Sequence, residues 1–128
     1  MPRVFKAIEI EKEEKEIMRD YLDRHMPHVI CPDSVKRGER FVVKVRMGEE
    51  YPHPDEDDHY ISLLQLWNRE TLMAEARYTA GVNGHKPSHV EVDFYIAAPD
   101  VSMNLSAMAV CTKHGLWQSE DKAVKVTD

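Results

Sequence analysis

"RFVVKVRM", residues 40–47, and "HVEVDFYIA", residues 89–97, decide the fold. In the first stretch Phe41, Val43, Val45 and Met47 alternate with Val42, Lys44 and Arg46. In the second, Val90, Val92, Phe94 and Ile96 alternate with His89, Glu91, Asp93 and Tyr95. A period of two is the pattern of a strand with one buried face. Working outward, YISLLQLWN (60–68), LMAEARYTA (72–80), SAMAVCT (106–112) and KAVKVT (122–127) also suit strands. Turn signals separate them at Arg37-Gly38, Met47-Gly48, Asn83-Gly84, Pro99-Asp100 and His114-Gly115. One helix is expected over 11–22, EKEEKEIMRDYL. Acids crowd its first turn, where the helix dipole favours them. Ile10, Ile17, Met18 and Tyr21 fall on one side at helical spacing, and His25-Met26-Pro27 ends it, because the residue before proline avoids helical angles. Six or seven short strands with a single helix predict an all-β chain, an antiparallel β-sandwich. A small closed barrel is the alternative.

The 128 residues suit one domain, with 1–22 as a helical extension and 23–128 as the sandwich. A hydrophobic content of 42% is enough for a real core. No apolar run approaches the roughly 20 residues that would cross a membrane. The N-terminus lacks the apolar region of a secretory signal, so the protein is expected in the cytoplasm. A net charge of −6, from 23 acids against 17 bases, argues against a nucleic-acid partner. The two cysteines, Cys31 and Cys111, are expected to stay reduced in that compartment. Seven histidines, by contrast, are many for this length and point weakly to metal or proton chemistry.

Histidines fall at three loop-like places, 25–28, 53–59 and 111–114, and a sandwich presents ligands from loops at one end. The most specific pattern is "CTKHGLW", residues 111–117: Cys-x-x-His sets a thiolate and an imidazole about one tight turn apart. That pair suits zinc, copper or iron rather than magnesium or calcium. A structural zinc site would want more cysteines. Blue copper would want an axial Met beyond the histidine, and Gly115, Leu116, Trp117 and Gln118 follow instead, which argues against copper without excluding it. One thiolate with four imidazoles would fit five-coordinate iron with a sixth position open.

Together "HMP" (25–27), "YPHPDEDDHY" (51–60) and "CTKHGLW" (111–117) resemble the three signatures of superoxide reductases, the neelaredoxins and the catalytic domain of desulfoferrodoxins. Their order and spacing match, and the resemblance covers nearly all of the chain from about residue 23. It implies an immunoglobulin-like sandwich, often assembled as a homotetramer. It implies one mononuclear non-haem iron per chain, cycling between Fe2+ and Fe3+, with His25, His53, His59 and His114 in a plane and Cys111 axial. The activity implied is one-electron reduction of superoxide to hydrogen peroxide, with a rubredoxin-like donor restoring the iron. An axial thiolate would push electron density toward the opposite position. With no further cysteines, the second iron site of desulfoferrodoxins is absent, which points to the one-iron class. The acids of the PDEDD loop are expected to solvate it and to hydrogen-bond ligand imidazoles, and Trp117 to pack beside the metal loop.

The chain departs from the family where Glu-Lys usually precedes the first ligand histidine. Here stand Asp23 and Arg24. The resemblance makes Asp23 a candidate cap for ferric iron, although Asp is one methylene shorter than Glu. Arg24 becomes the candidate cation that steers superoxide; it keeps its charge and donates no proton of its own. Lys113 is the second candidate cation. A cupredoxin-like electron carrier and a metal-free binding module are the rival readings. His28, His85 and His89 read as surface or strand histidines, and Cys31 as a small buried apolar residue.

Overall fold

The computed structural model describes residues 19–128. The part of the expected helix before residue 19 lies outside them; from there α1 runs Arg19–His25 and stops just short of Pro27. Nine strands follow: β1 (Pro27–Ile30), β2 (Ser34–Lys36), β3 (Arg40–Met47), β4 (Ile61–Asn68), β5 (Thr71–Arg77), β6 (Glu91–Ala97), β7 (Met103–Cys111), β8 (Gly115–Gln118) and β9 (Lys122–Thr127). They form two separate sheets rather than a closed barrel. One has the order β1-β3-β6. The other has the order β2-β9-β7-β4-β5, with β8 also paired to β7.

The alternating stretches behave as their pattern dictates. Phe41, Val43, Val45 and Met47 of β3 are buried, while Arg40 and Val42 face outward. On β6, Val92, Phe94 and Ile96 pack against the core, in register with Val45, Val43 and Phe41. The second sheet contributes Leu64, Leu66, Leu105, Ala107 and Ala109, all fully buried, to the same core. Burying a leucine of this kind stabilises the fold by about 1.5–3 kcal/mol. Two sheets around one such core make an immunoglobulin-like sandwich.

Three strands were not legible as strands. β1 and β2 are only four and three residues long and carry Pro27 and Ser34. β8 occupies GLWQ, which no expected strand covered, and folds back on β7 with Cys111 opposite Gly115. The pairing is not wholly antiparallel either: β2 runs parallel to β9, Val35 opposite Val126. Nearly the whole described chain separates these two strands, so no hairpin dictates their direction. The histidine places are not all loops. His25 is the last residue of α1, and His28 sits in β1.

Pairing of Pro27 with Met47 and of Ile61 with Cys111 brings the start of β1, the end of β3, the start of β4 and the end of β7 to one end of the sandwich. The candidate site is there.

Candidate metal centre

Each candidate ligand is mounted differently. His25 ends α1 and is fully buried; its Nδ1 lies 2.7 Å from the carbonyl of Tyr21, one helical turn back. A carbonyl only accepts, so Nδ1 carries the proton and Nε2 is left as a bare lone pair. His53 repeats the device, with Nδ1 donating to the carbonyl of Pro54 at 2.7 Å. Its Nε2 is 3.3 Å from Cys111 Sγ. Cys111 closes β7, and Gly115, at φ +84, turns the chain so that His114 comes back beside the sulfur. His114 donates its backbone N–H to Sγ at 3.3 Å, and its Nδ1 lies 3.8 Å from the same atom.

The four imidazoles form a ring. Neighbouring centroids are 5.0 Å apart for His25–His53, 4.8 Å for His53–His59, 4.9 Å for His59–His114 and 5.0 Å for His114–His25, each pair roughly edge to face. Across the ring, His25 and His59 are 6.4 Å apart and nearly parallel. The donor atoms of His25, His59, Cys111 and His114 all lie within 4.8 Å of one another. All five residues singled out in the sequence are thus brought together. The Nε2 atoms of His25 and His59 are buried with no hydrogen-bond partner among the described residues. A bare buried nitrogen costs about 1–3 kcal/mol. A metal ion amid them would satisfy both, and at nitrogen–metal distances of about 2.1 Å opposite donors stand roughly 4 Å apart. The residues fit a metal.

Residues 9–120 match the desulfoferrodoxin family model. The chain belongs to the desulfoferrodoxin family. It is similar to the neelaredoxin of Megalodesulfovibrio gigas, 29% identical over 117 residues covering 80% of this chain and 87% of that one. It is also similar to the superoxide reductase of Pyrococcus furiosus, 28% identical over 110 residues, 77% of this chain and 86% of the relative. Among solved structures, a variant of the superoxide reductase (neelaredoxin) from Ignicoccus hospitalis superposes with a TM-score of 0.74 at 26% identity. That match spans 98% of this chain and 99% of the other.

Against this desulfoferrodoxin background the flanking residues take definite places. Trp117 stacks on His25, centroids 4.9 Å apart, and its indole N–H bonds the carbonyl of His114. Tyr21 closes the same side, its ring 4.8 Å from His25, 5.2 Å from His114 and 5.5 Å from Trp117. Sequence reasoning counted Tyr21 only as a packing residue. Its i, i+4 spacing to His25 was the signal for more. Arg24 bends back along the helix, donating to the carbonyl of Asp20 at 3.0 Å and to its carboxylate at 3.2 Å. Its charge still reaches His53, and that of Lys113 reaches both His59 and Cys111.

Among the described residues of this desulfoferrodoxin chain no acid hydrogen-bonds one of the four ring imidazoles, contrary to expectation. Backbone carbonyls do so at His25 and His53. Asp55, 2% exposed, instead accepts the amides of Gly81, Asn83 and His85 at 2.9, 2.8 and 3.0 Å. Burial alone would raise its carboxyl, and the three amides outweigh that and hold it below the usual carboxylate range. The carboxylate of Asp23 accepts the amides of Glu49, Glu50 and Tyr51 at 3.1, 3.0 and 2.8 Å. Of the other histidines, His85 is exposed beside Asp57, and His89 bonds the carbonyl of Met47. Cys31 is only partly buried against the core.

Burial, followed by repulsion from the neighbouring imidazoles, lowers His25 and His53 to about 4. Burial likewise pushes the Cys111 thiol up, so in the metal-free chain it stays protonated at neutral pH. Unfolded histidines titrate near 6.5. Between about pH 6.5 and pH 4 the unfolded metal-free chain therefore binds protons that the folded one refuses. Stability is complete above that window and is lost as pH falls through it. Urea unfolding of the metal-free protein should show a loss approaching about 1.4 kcal/mol per pH unit for each of the two residues. His53→Gln should flatten the slope. A wild-type curve level across the window contradicts this account.

Proposed function

We propose that the protein is a non-haem iron superoxide reductase. The observation that carries this is the ring of four imidazoles with Cys111 Sγ at contact distance, in a desulfoferrodoxin chain. His25, His53, His59 and His114 would hold one mononuclear iron per chain, with Cys111 as fifth donor and one position left for substrate. When bound, the iron supplies one electron to superoxide, which takes up two protons and leaves as hydrogen peroxide.

The chain's own residues prepare this. The carbonyls of Tyr21 and Pro54 orient two rings and fix their tautomers, so that both present Nε2. The amides of Lys113 and His114, with the Lys113 cation, favour the thiolate form of Cys111 that a metal requires. Trp117 and Tyr21 shield the ring edge from water. Both oxygens of Asp23 are engaged by amides, which supports a role apart from the metal. A rubredoxin-like one-electron donor and a homotetramer rest on the family resemblance, and a cytoplasmic setting rests on the N-terminal sequence, which reads unlike a secretory signal. Among the described residues, no helix is long and apolar enough to cross a membrane. A cupredoxin-like carrier is not favoured: four imidazoles exceed what a blue-copper site uses.

Metal analysis with pulse radiolysis tests the reading. About one iron per chain and a fast second-order reaction with superoxide are expected. Copper, or iron without that reaction, refutes it. Cation steering is measured in the same experiment. Arg24→Ala and Lys113→Ala should each slow the reaction, by up to about tenfold, and added salt should slow the wild type more than either variant. Since Asp20 pairs with Arg24, the larger effect is expected at Lys113. Equal rates and salt slopes in all three proteins would remove both residues from that role.

A further inference from the structure

The ring depends on two mounts meeting: the end of α1, which carries His25, and the segment after β3, which carries His53. Asp23 stands where they touch. Glu49 donates its amide to Oδ1, and Glu50 and Tyr51 donate theirs to Oδ2. Three successive amides converging on one carboxylate form an anion-binding nest, and both oxygens are used. The neighbouring Gly48 points to the same junction independently. At φ +73, a Cβ there would stand 2.7 Å from the carbonyl oxygen of Tyr51 and 3.2 Å from that of Asp23, so the three strands of chain close up only around a glycine. The Gly48 amide also bonds the carbonyl of Met26. From the first described turn of the helix, Arg19 pairs with Glu50 and lies over the ring of Tyr51. Tyr51 is two residues before His53.

We infer that Asp23 is a positioning residue: its carboxylate locks the Glu49–Tyr51 segment to the helix end, sets His53 against His25, and stays out of the metal's coordination sphere in both oxidation states. The inference rests on reading the ring as an iron centre. A carboxylate that left the nest for the metal would give up three charge-assisted backbone hydrogen bonds at once, one of them, from Tyr51, partly buried. On this reading the carboxylate of Asp23 does not compete with outside anions for the position open to substrate.

The test compares wild type, Asp23→Ala and Leu105→Ala. Leu105 lies in the core toward the far end of β7 from Cys111, so its variant serves as a control for global destabilisation. In the oxidised, iron-loaded proteins, azide affinity followed by absorption should agree within about twofold between wild type and Asp23→Ala. A rise of about tenfold or more, as expected when a competing internal ligand is removed, overturns the inference. Iron release to a chelator should quicken by about tenfold in Asp23→Ala, the usual cost of losing a group that orients a ligand. If Leu105→Ala releases iron just as fast at equal loss of stability, the role is merely structural and the inference falls. Amide exchange on the metal-free chain gives a reading that needs no metal. The amides of Glu49, Glu50 and Tyr51 should be protected in wild type and exchange about tenfold faster in Asp23→Ala. Unprotected wild-type amides overturn the clamp. A wild type that binds no iron but protects these amides refutes the functional reading and leaves the clamp standing.

Discussion

Cys111→Ser is expected to abolish the visible absorption of the oxidised centre and to slow the reaction with superoxide by more than about 100-fold, beyond what losing a supporting contact costs. Cys111 is the sulfur donor that the described residues place at the ring: it is 1% exposed, with Sγ 3.3 Å from His53 Nε2 and held by the His114 amide. Serine is nearly isosteric, so the hairpin and the imidazoles should stay in place. Its oxygen is a harder and far more basic donor that stays protonated at neutral pH, and it cannot provide the thiolate. Iron content should therefore fall much less than activity. The comparison separates the two, and near-wild-type turnover at full iron loading would refute a thiolate-dependent reduction.

Asp55→Asn should destabilise the chain by about 3 kcal/mol, since hydrogen bonds to a buried charge each contribute about 1.5–3 kcal/mol and do not add fully. The side chain keeps its volume. It loses one acceptor oxygen and presents an NH2 group to backbone donors, so at least one of the Gly81, Asn83 and His85 amides is left facing another donor. The damage reaches the ring because His53 and Ser88 exchange both backbone hydrogen bonds, tying the histidine to the segment that Asp55 organises. Denaturant unfolding of metal-free Asp55→Asn should show the loss, and iron release should quicken with it. Asp57→Asn, at an exposed residue close by, serves as the control and should stay within about 0.5 kcal/mol of wild type. Equal stability of the two variants would leave Asp55 as an ordinary loop acid.

The strands with strict alternation were legible because one face of each is buried and the other is wet: Arg40–Met47 and Lys122–Thr127 fall where the pattern puts them. β1, β2 and β8 were not legible, because three or four residues carry too little period; β1 and β2 in addition depend on distant partners such as Met47 and Lys125, while β8 pairs with its neighbour β7. The five residues of the ring were picked out by the three motifs that resemble superoxide reductases; thiolate and imidazole chemistry by itself narrowed the metal to zinc, copper or iron and no further. The roles of Asp23 and Asp55 could not be read. Both are defined by backbone amides 26 to 30 residues away in sequence, and an amide has no residue-type signature. The same acids that looked like solvated loop charges or metal-site partners turn out to organise main chain.

Around the ring the imidazoles follow one another in chain order, His25, His53, His59 and His114, and the last comes back beside the first. In polymer terms an ion held there would be a cross-link that closes a loop spanning most of the described chain. Closing so long a loop removes much of the freedom of the unfolded ensemble, by about 4–5 kcal/mol on the model used for disulfides. The ion would thus act as a fastener as well as a reactant, joining the helix at one end of the described chain to the β7–β8 hairpin near the other.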